Sequence, residues 1–172
     1  MNVATEPLVD VVIEDARWDV VGLENLAGRA VRAVLKAEAL PETGLTLCLM
    51  GCADARIAVL NGEFRGKEKP TNVLSWPSWD LSADVDGAVP ERPEIGTQEA
   101  PEPLGDIALA WETCRAEAAA AGKPLADHLT HLIVHGTLHL LGFDHVREGD
   151  ATRMEALEVS ILATLGLSDP YS

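Results

Sequence analysis

All five histidines of this 172-residue chain, His128, His131, His135, His139 and His145, fall between residues 128 and 145. His135 and His139 are four apart in the apolar run from Leu132 to Leu141. A helix there stacks both imidazoles on one face, about one turn apart. Gly142 supplies the backbone freedom that commonly ends a helix, and His145 follows in the turn behind it. Two imidazoles from one helical turn and a third from the next loop make a three-nitrogen site with an open fourth position. That is the layout of catalytic rather than structural zinc.

A lone histidine on an apolar helix is more often a hydrogen-bonded core residue; the three-residue constellation ending on a glycine turn is what points to metal. His131 competes, being also four from His135. It stands about 12 Å from His139 along a helix axis at 1.5 Å per residue, too far for the short loop bearing His145. His128 and His131 are therefore expected to pack around the site or line its cleft. The metal ligands are expected to be His135, His139 and His145, holding one zinc ion per chain.

Three neutral imidazoles leave the ion its full charge. Zinc so held lowers the pKa of bound water toward ~7 and polarises phosphoryl or carbonyl oxygens, so hydrolysis is the natural reaction class. The zincin peptidase pattern H-E-x-x-H places a general base after the first histidine. Here that position is Gly136, which removes bulk and lets another segment or a substrate approach, and counts against a peptidase. A second component is Arg65, whose guanidinium suits bidentate capture of a phosphate against the metal. Its bland alternative is a solvated cation ending a helix. Asp144 either orients a ligand imidazole or forms the Gly-Phe-Asp turn, and Asp106 reads as a buried polar anchor before a site acid.

Around this site the pattern predicts four strands and about five helices, an α+β (mixed α/β) sandwich. Strands are expected at Leu8–Ile13, Gly44–Met50, Thr71–Trp76 and Leu104–Leu109. Helices are expected over Trp18–Glu38, from an N-cap at Asp54 to Arg65-Gly66, over Trp111–Ala121, from Pro124 through the histidines, and over Glu148–Leu165. The last should turn Met154, Leu157, Ile161 and Leu165 inward. The histidine helix, apolar on several sides, must be central. From Pro77 to Pro103 there are five prolines, no periodicity, and seven acids against Arg92 alone. This stretch is expected to be an acidic, mobile insertion or lid in an otherwise single domain spanning 1–172.

Composition sets the outer limits. Apolar residues make up 47% of the chain and mean hydropathy is near zero, as for a soluble globular domain large enough to bury a core. The first 15 residues carry Glu6, Asp10, Glu14 and Asp15, unlike a secretory leader. No stretch approaches the ~20 apolar residues of a membrane span. Cys48, Cys52 and Cys114 lack C-x-x-C spacing, so a disulfide framework is not indicated and a reducing cytoplasm fits. The net charge of −15 argues mildly against nucleic acid. Yet Arg65-Gly66-Lys67-Glu68-Lys69 holds a local positive excess.

The histidine segment, His135-Gly136-x-Leu138-His139-Leu140-x-Gly142-x-Asp144-His145, resembles the signature of the YbeY family of bacterial rRNA-maturation endoribonucleases. Two further segments match in order: Asn61-x-x-Phe64-Arg65-Gly66-Lys67-x-Lys69-Pro70-Thr71-Asn72-Val73-Leu74-Ser75-Trp76, and Leu104-Gly105-Asp106-Ile107. The resemblance runs from about residue 45 to 165. Phe64 and Trp76 stand where the family tends to have Tyr and Phe, and the 77–103 stretch looks like an insertion relative to shorter members. The resemblance implies a metal-dependent, single-strand-specific endoribonuclease acting in 16S rRNA 3′-end maturation and ribosome quality control. It implies zinc on His135, His139 and His145, with Arg65 working in the cleft. Its implied partners are rRNA, the small ribosomal subunit and assembly factors including a ribosome-associated GTPase. Two rivals remain: a zincin-like metallopeptidase, and a non-catalytic assembly factor stabilised by zinc.

Overall fold

A computed structural model describes residues 7–66 and 70–171, without the side chains of Phe64 and Arg65. Four strands, β1 (Val9–Ile13), β2 (Leu45–Cys52), β3 (Val73–Pro77) and β4 (Glu102–Ala110), form one sheet in the order β1-β2-β4-β3. The first three neighbours in that order run parallel, and β3 pairs antiparallel with β4, with Leu74 opposite Ala108. The helices are α1 (Leu23–Ala37), α2 (Asp54–Arg65), α3 (Trp111–Ala120), α4 (Leu125–Leu140) and α5 (Glu148–Thr164). The mixed α/β architecture follows the sequence pattern closely.

Strand alternation divides the core. Leu45, Leu47 and Leu49 of β2, with Ile107 and Leu109 of β4, face a large cluster built with α1, α4 and α5. Ala108, Ala110 and Cys52 face a smaller one with Ile57 of α2. In α1, Ala27, Ala30, Val31, Val34 and Leu35 recur at helical spacing and are buried. In α4, Leu129, Ile133 and Leu138 are fully buried, each stabilising the fold by roughly 1.5–3 kcal/mol relative to exposure. The histidine helix is thus central, as its all-round apolarity required.

Three details depart from expectation. The helix expected over Trp18–Glu38 is broken at Gly22, whose φ of 64° is left-handed. A short 3-10 helix, Ala16–Val21, precedes it, capped by Asp15, whose carboxylate accepts from the Arg17 N–H. The break lets Trp18 turn inward, where its Nε1 donates to the Cys52 carbonyl at 2.9 Å and its ring meets Trp111 edge-on. Asp54 is not an N-cap: Ala53 holds that place, and the Asp54 carboxylate instead accepts from the Thr113 N–H and hydroxyl at the start of α3. Asp106 is exposed rather than a buried anchor. Its strand parity matches Ala108, placing it on the α2 side of the sheet, away from α4.

Between Ser78 and Pro101 the chain forms no helix or strand, yet it is tied at several points. Asp86 accepts from the N–H groups of Gly149 and Asp150, capping the start of α5. Arg147 donates to the carbonyls of Ala83 and Asp84, and Arg92 to those of Glu38 and Ala39. Leu81 is buried against the turn at Gly142.

Candidate metal centre

The last two turns of α4 and the turn behind them bring three imidazoles together. His135 and His139 ring centroids are 4.6 Å apart, His135 and His145 5.2 Å, and His139 and His145 5.0 Å. One nitrogen from each lies within 4.8 Å of the others. The turn depends on Gly142, whose φ is 98° and whose Cβ position would strike the Leu81 backbone at 2.7 Å. Asp144 completes it by accepting from the His145 N–H at 2.7 Å. Of its two expected roles, the structure supports the turn.

The donor set fits a divalent metal. Burial, with His135 and His145 close by, lowers the pKa of His139 to about 4, so its imidazole is neutral and able to ligate. His135 Nδ1 donates to Glu158 Oε1 at 2.7 Å, which leaves Nε2 as the free nitrogen. A carboxylate behind a ligand imidazole fixes its tautomer and makes it a better donor. Among the described residues the cluster contains neither Asp144 nor His131 as a fourth donor. That open position separates it from a closed structural site.

Glu158 is the residue that sequence reasoning missed. It is 1% exposed, and its carboxylate also accepts from His131 Nε2 at 3.3 Å and the Tyr171 hydroxyl at 2.6 Å. Burial alone would raise its pKa, but donation from His131, His135 and Tyr171 prevails and holds it at about 2. A signal was present: Glu158 interrupts the inward stripe of Met154, Ile161 and Leu162 on α5. His131 thus supports the centre through Glu158, whereas His128 Nε2 pairs with Glu117 at 2.9 Å and stands apart. Gly136 is buried, and an added Cβ would meet the Ile107 side chain at 3.2 Å. The segment that Gly136 admits is therefore β4.

Arg65 ends α2 just before the left-handed Gly66. Its side chain, with Lys67 and Lys69, lies outside the described residues. On the exposed side of His139 opens a cavity of about 360 Å³, walled by Pro77–Ser82 and by Gly142–Asp144.

Sheet, central helix and donor set together define a mixed α/β protein with a three-histidine site open to a metal ion. The family model described as endoribonuclease YbeY matches residues 11–166. A protein named endoribonuclease YbeY from Dinoroseobacter shibae is 60% identical over 163 residues, covering 95% of this chain and 90% of the relative. Another of that name from Cereibacter sphaeroides is 60% identical over 166 residues, covering 96% and 99%. The solution structure of TM1509 from Thermotoga maritima shares the fold, with a TM-score of 0.53, 18% identity, and coverage of 95% and 99%. The chain belongs to the endoribonuclease YbeY family.

Proposed function

We propose that this protein is a zinc-dependent endoribonuclease that cleaves single-stranded RNA in maturation of the 16S rRNA 3′ end and in ribosome quality control. The observation that carries the reading is the cluster of three imidazoles, open at its fourth position, in a member of this family. His135, His139 and His145 hold the ion, one per chain. The ion supplies Lewis acidity toward a phosphate oxygen and toward an attacking hydroxyl. The protein's own part is to keep His139 unprotonated by burial and to lock His135 through Glu158. Arg65 holds the scissile phosphate, with Lys67 and Lys69 following the backbone. The stretch from 77 to 103, coil between the end of β3 and the start of β4, serves as an insertion that shapes access. The small ribosomal subunit and a ribosome-associated GTPase are the proposed partners, in the cytoplasm. No helix among the described residues is long and apolar enough to cross a membrane.

A zincin-like peptidase is disfavoured because its general-base position is Gly136, packed on Ile107. A zinc-stabilised assembly factor without activity is the remaining rival. Cleavage of a small-subunit rRNA precursor on assembled subunits, by wild type and by His139→Ala, separates them. Wild type is expected to cut, and the variant to lose both zinc and cutting while keeping its fold by circular dichroism. A wild type that binds zinc and never cuts makes the protein a binding factor.

A further inference from the structure

The cavity beside His139 has the chemistry of a base-binding subsite. Trp79 on its wall is 55% exposed, yet its ring is held in place, because Nε1 donates to Glu102 Oε1 at 2.9 Å. The strand end beneath it is fixed by Ser78, whose N–H donates to the Leu104 carbonyl at 3.0 Å. A large aromatic surface, pre-oriented and open to solvent, is what stacking of an unpaired base requires. Phe143, Asp144 and His139 of the histidine cluster line the same cavity. At about 360 Å³ the cavity falls in the size range of small-ligand sites.

Its polar groups select the part of RNA that enters. Asp80 and Asp144 both line the cavity, and each spends one oxygen on its own turn: Asp80 Oδ1 accepts from Ser82, and Asp144 Oδ1 from the His145 N–H. The donation from Ser82 also holds the Asp80 pKa below the usual carboxylate range, so it is charged at neutral pH. An ionised carboxylate only accepts hydrogen bonds. It repels a phosphate and receives an exocyclic amino group, as acidic side chains do from cytosine N4. Uracil offers no such group.

We infer that this cavity is a subsite for one unpaired, amino-bearing nucleobase next to the scissile phosphate, stacked on Trp79 and read by Asp80. The inference rests on the endoribonuclease reading and gives that site a base preference. The base and phosphate then divide the cleft, with the acidic coil facing base edges and the histidine cluster facing phosphate.

The test uses the full-length protein, zinc-loaded for cleavage and both loaded and metal-free for binding. Binding of oligocytidylate, oligoadenylate and oligouridylate is read by tryptophan fluorescence. Trp18 and Trp111 are buried and Trp76 is half-buried, and the difference between wild type and Trp79→Phe separates the exposed Trp79 ring from all three. Oligocytidylate and oligoadenylate should bind at least fivefold more tightly than oligouridylate, and Asp80→Asn should level that preference. Trp79→Ala should raise KM for a cytosine-containing single strand about tenfold, with the smaller change in kcat, and Trp79→Phe should recover most of it. If wild type cuts and Trp79→Ala leaves KM unchanged, or if the three oligonucleotides bind equally, the subsite is overturned while the endoribonuclease reading stands. If wild type cuts nothing but shows saturable quenching absent from Trp79→Ala, the endoribonuclease reading falls and the base site stands.

Discussion

At the scale of single residues, the metal centre extends beyond its three imidazoles. Glu158 gathers donors from His131, His135 and Tyr171 onto one buried carboxylate. Removing its charge while keeping its shape should loosen His135 and make it a weaker donor. Glu158→Gln is therefore expected to weaken zinc binding by about 10–100-fold, the usual cost of losing an outer partner of a ligand histidine. Tyr171→Phe, which deletes one donor to the far oxygen, should cost only a few-fold. Chelator competition at fixed pH measures both; an unchanged affinity in Glu158→Gln would reduce Glu158 to a packing tie. The clustering of His135, His139 and His145 was legible because helical spacing and a glycine turn are one-dimensional patterns. Glu158 was not, since its partner His135 lies 23 residues away on another helix and spacing carries no information across that gap. Its one trace, an acid within an apolar stripe, says that it needs buried donors and not which ones.

At the scale of elements, the site depends on how α4 ends. Gly142 must be left-handed to turn His145 back, and the Leu81 backbone occupies the space that a side chain would need. Gly142→Ala therefore meets both backbone strain and a contact that cannot yield by rotating a side chain. We expect a loss of about 1–3 kcal/mol in stability, the cost of a non-glycine residue forced into this conformation. A weaker zinc affinity should accompany it as His145 and the 78–82 coil shift. Thermal unfolding and zinc competition on the same preparation read both, and a variant that melts with wild type and binds zinc as well would remove Gly142 from this role. Periodicity located each strand and helix near this turn, because one face of each is buried in a continuous core. It failed at Gly22, where burial of Trp18 and its bond to Cys52 outweigh a helical pattern that runs on either side. It was also silent on the 78–101 coil, whose order comes from caps and carbonyl contacts to α1 and α5 rather than from any repeat.

At the scale of the molecule, a net charge of −15 must coexist with a polyanionic substrate. Part of the acidity is consumed internally: Asp86 caps α5, Glu102 holds Trp79, and Asp80 holds Ser82. Several cations are likewise engaged, Arg17 with Asp15 and Glu112, Arg147 with Asp150, and Arg153 with the Gly87 carbonyl. The run Arg65-Gly66-Lys67-Glu68-Lys69 keeps a local positive excess in the sequence, at the end of α2. If its three cations contact phosphates, each displaces condensed counterions, and the logarithm of affinity should fall with that of salt at a slope of about −0.7 per contact on a single strand. Three contacts give a slope near −2, so raising salt from about 50 to about 200 mM should weaken binding of a short single-stranded RNA about 20-fold. Replacing Arg65, Lys67 and Lys69 together by Gln should flatten the slope toward zero. Because the surrounding surface is acidic, the residual dependence should be weak or reversed in sign, as salt then screens repulsion instead of attraction. Fluorescence titrations across that salt range decide the matter. A wild-type slope already near zero would remove these cations from the phosphate path and leave docking on the small subunit as the source of affinity.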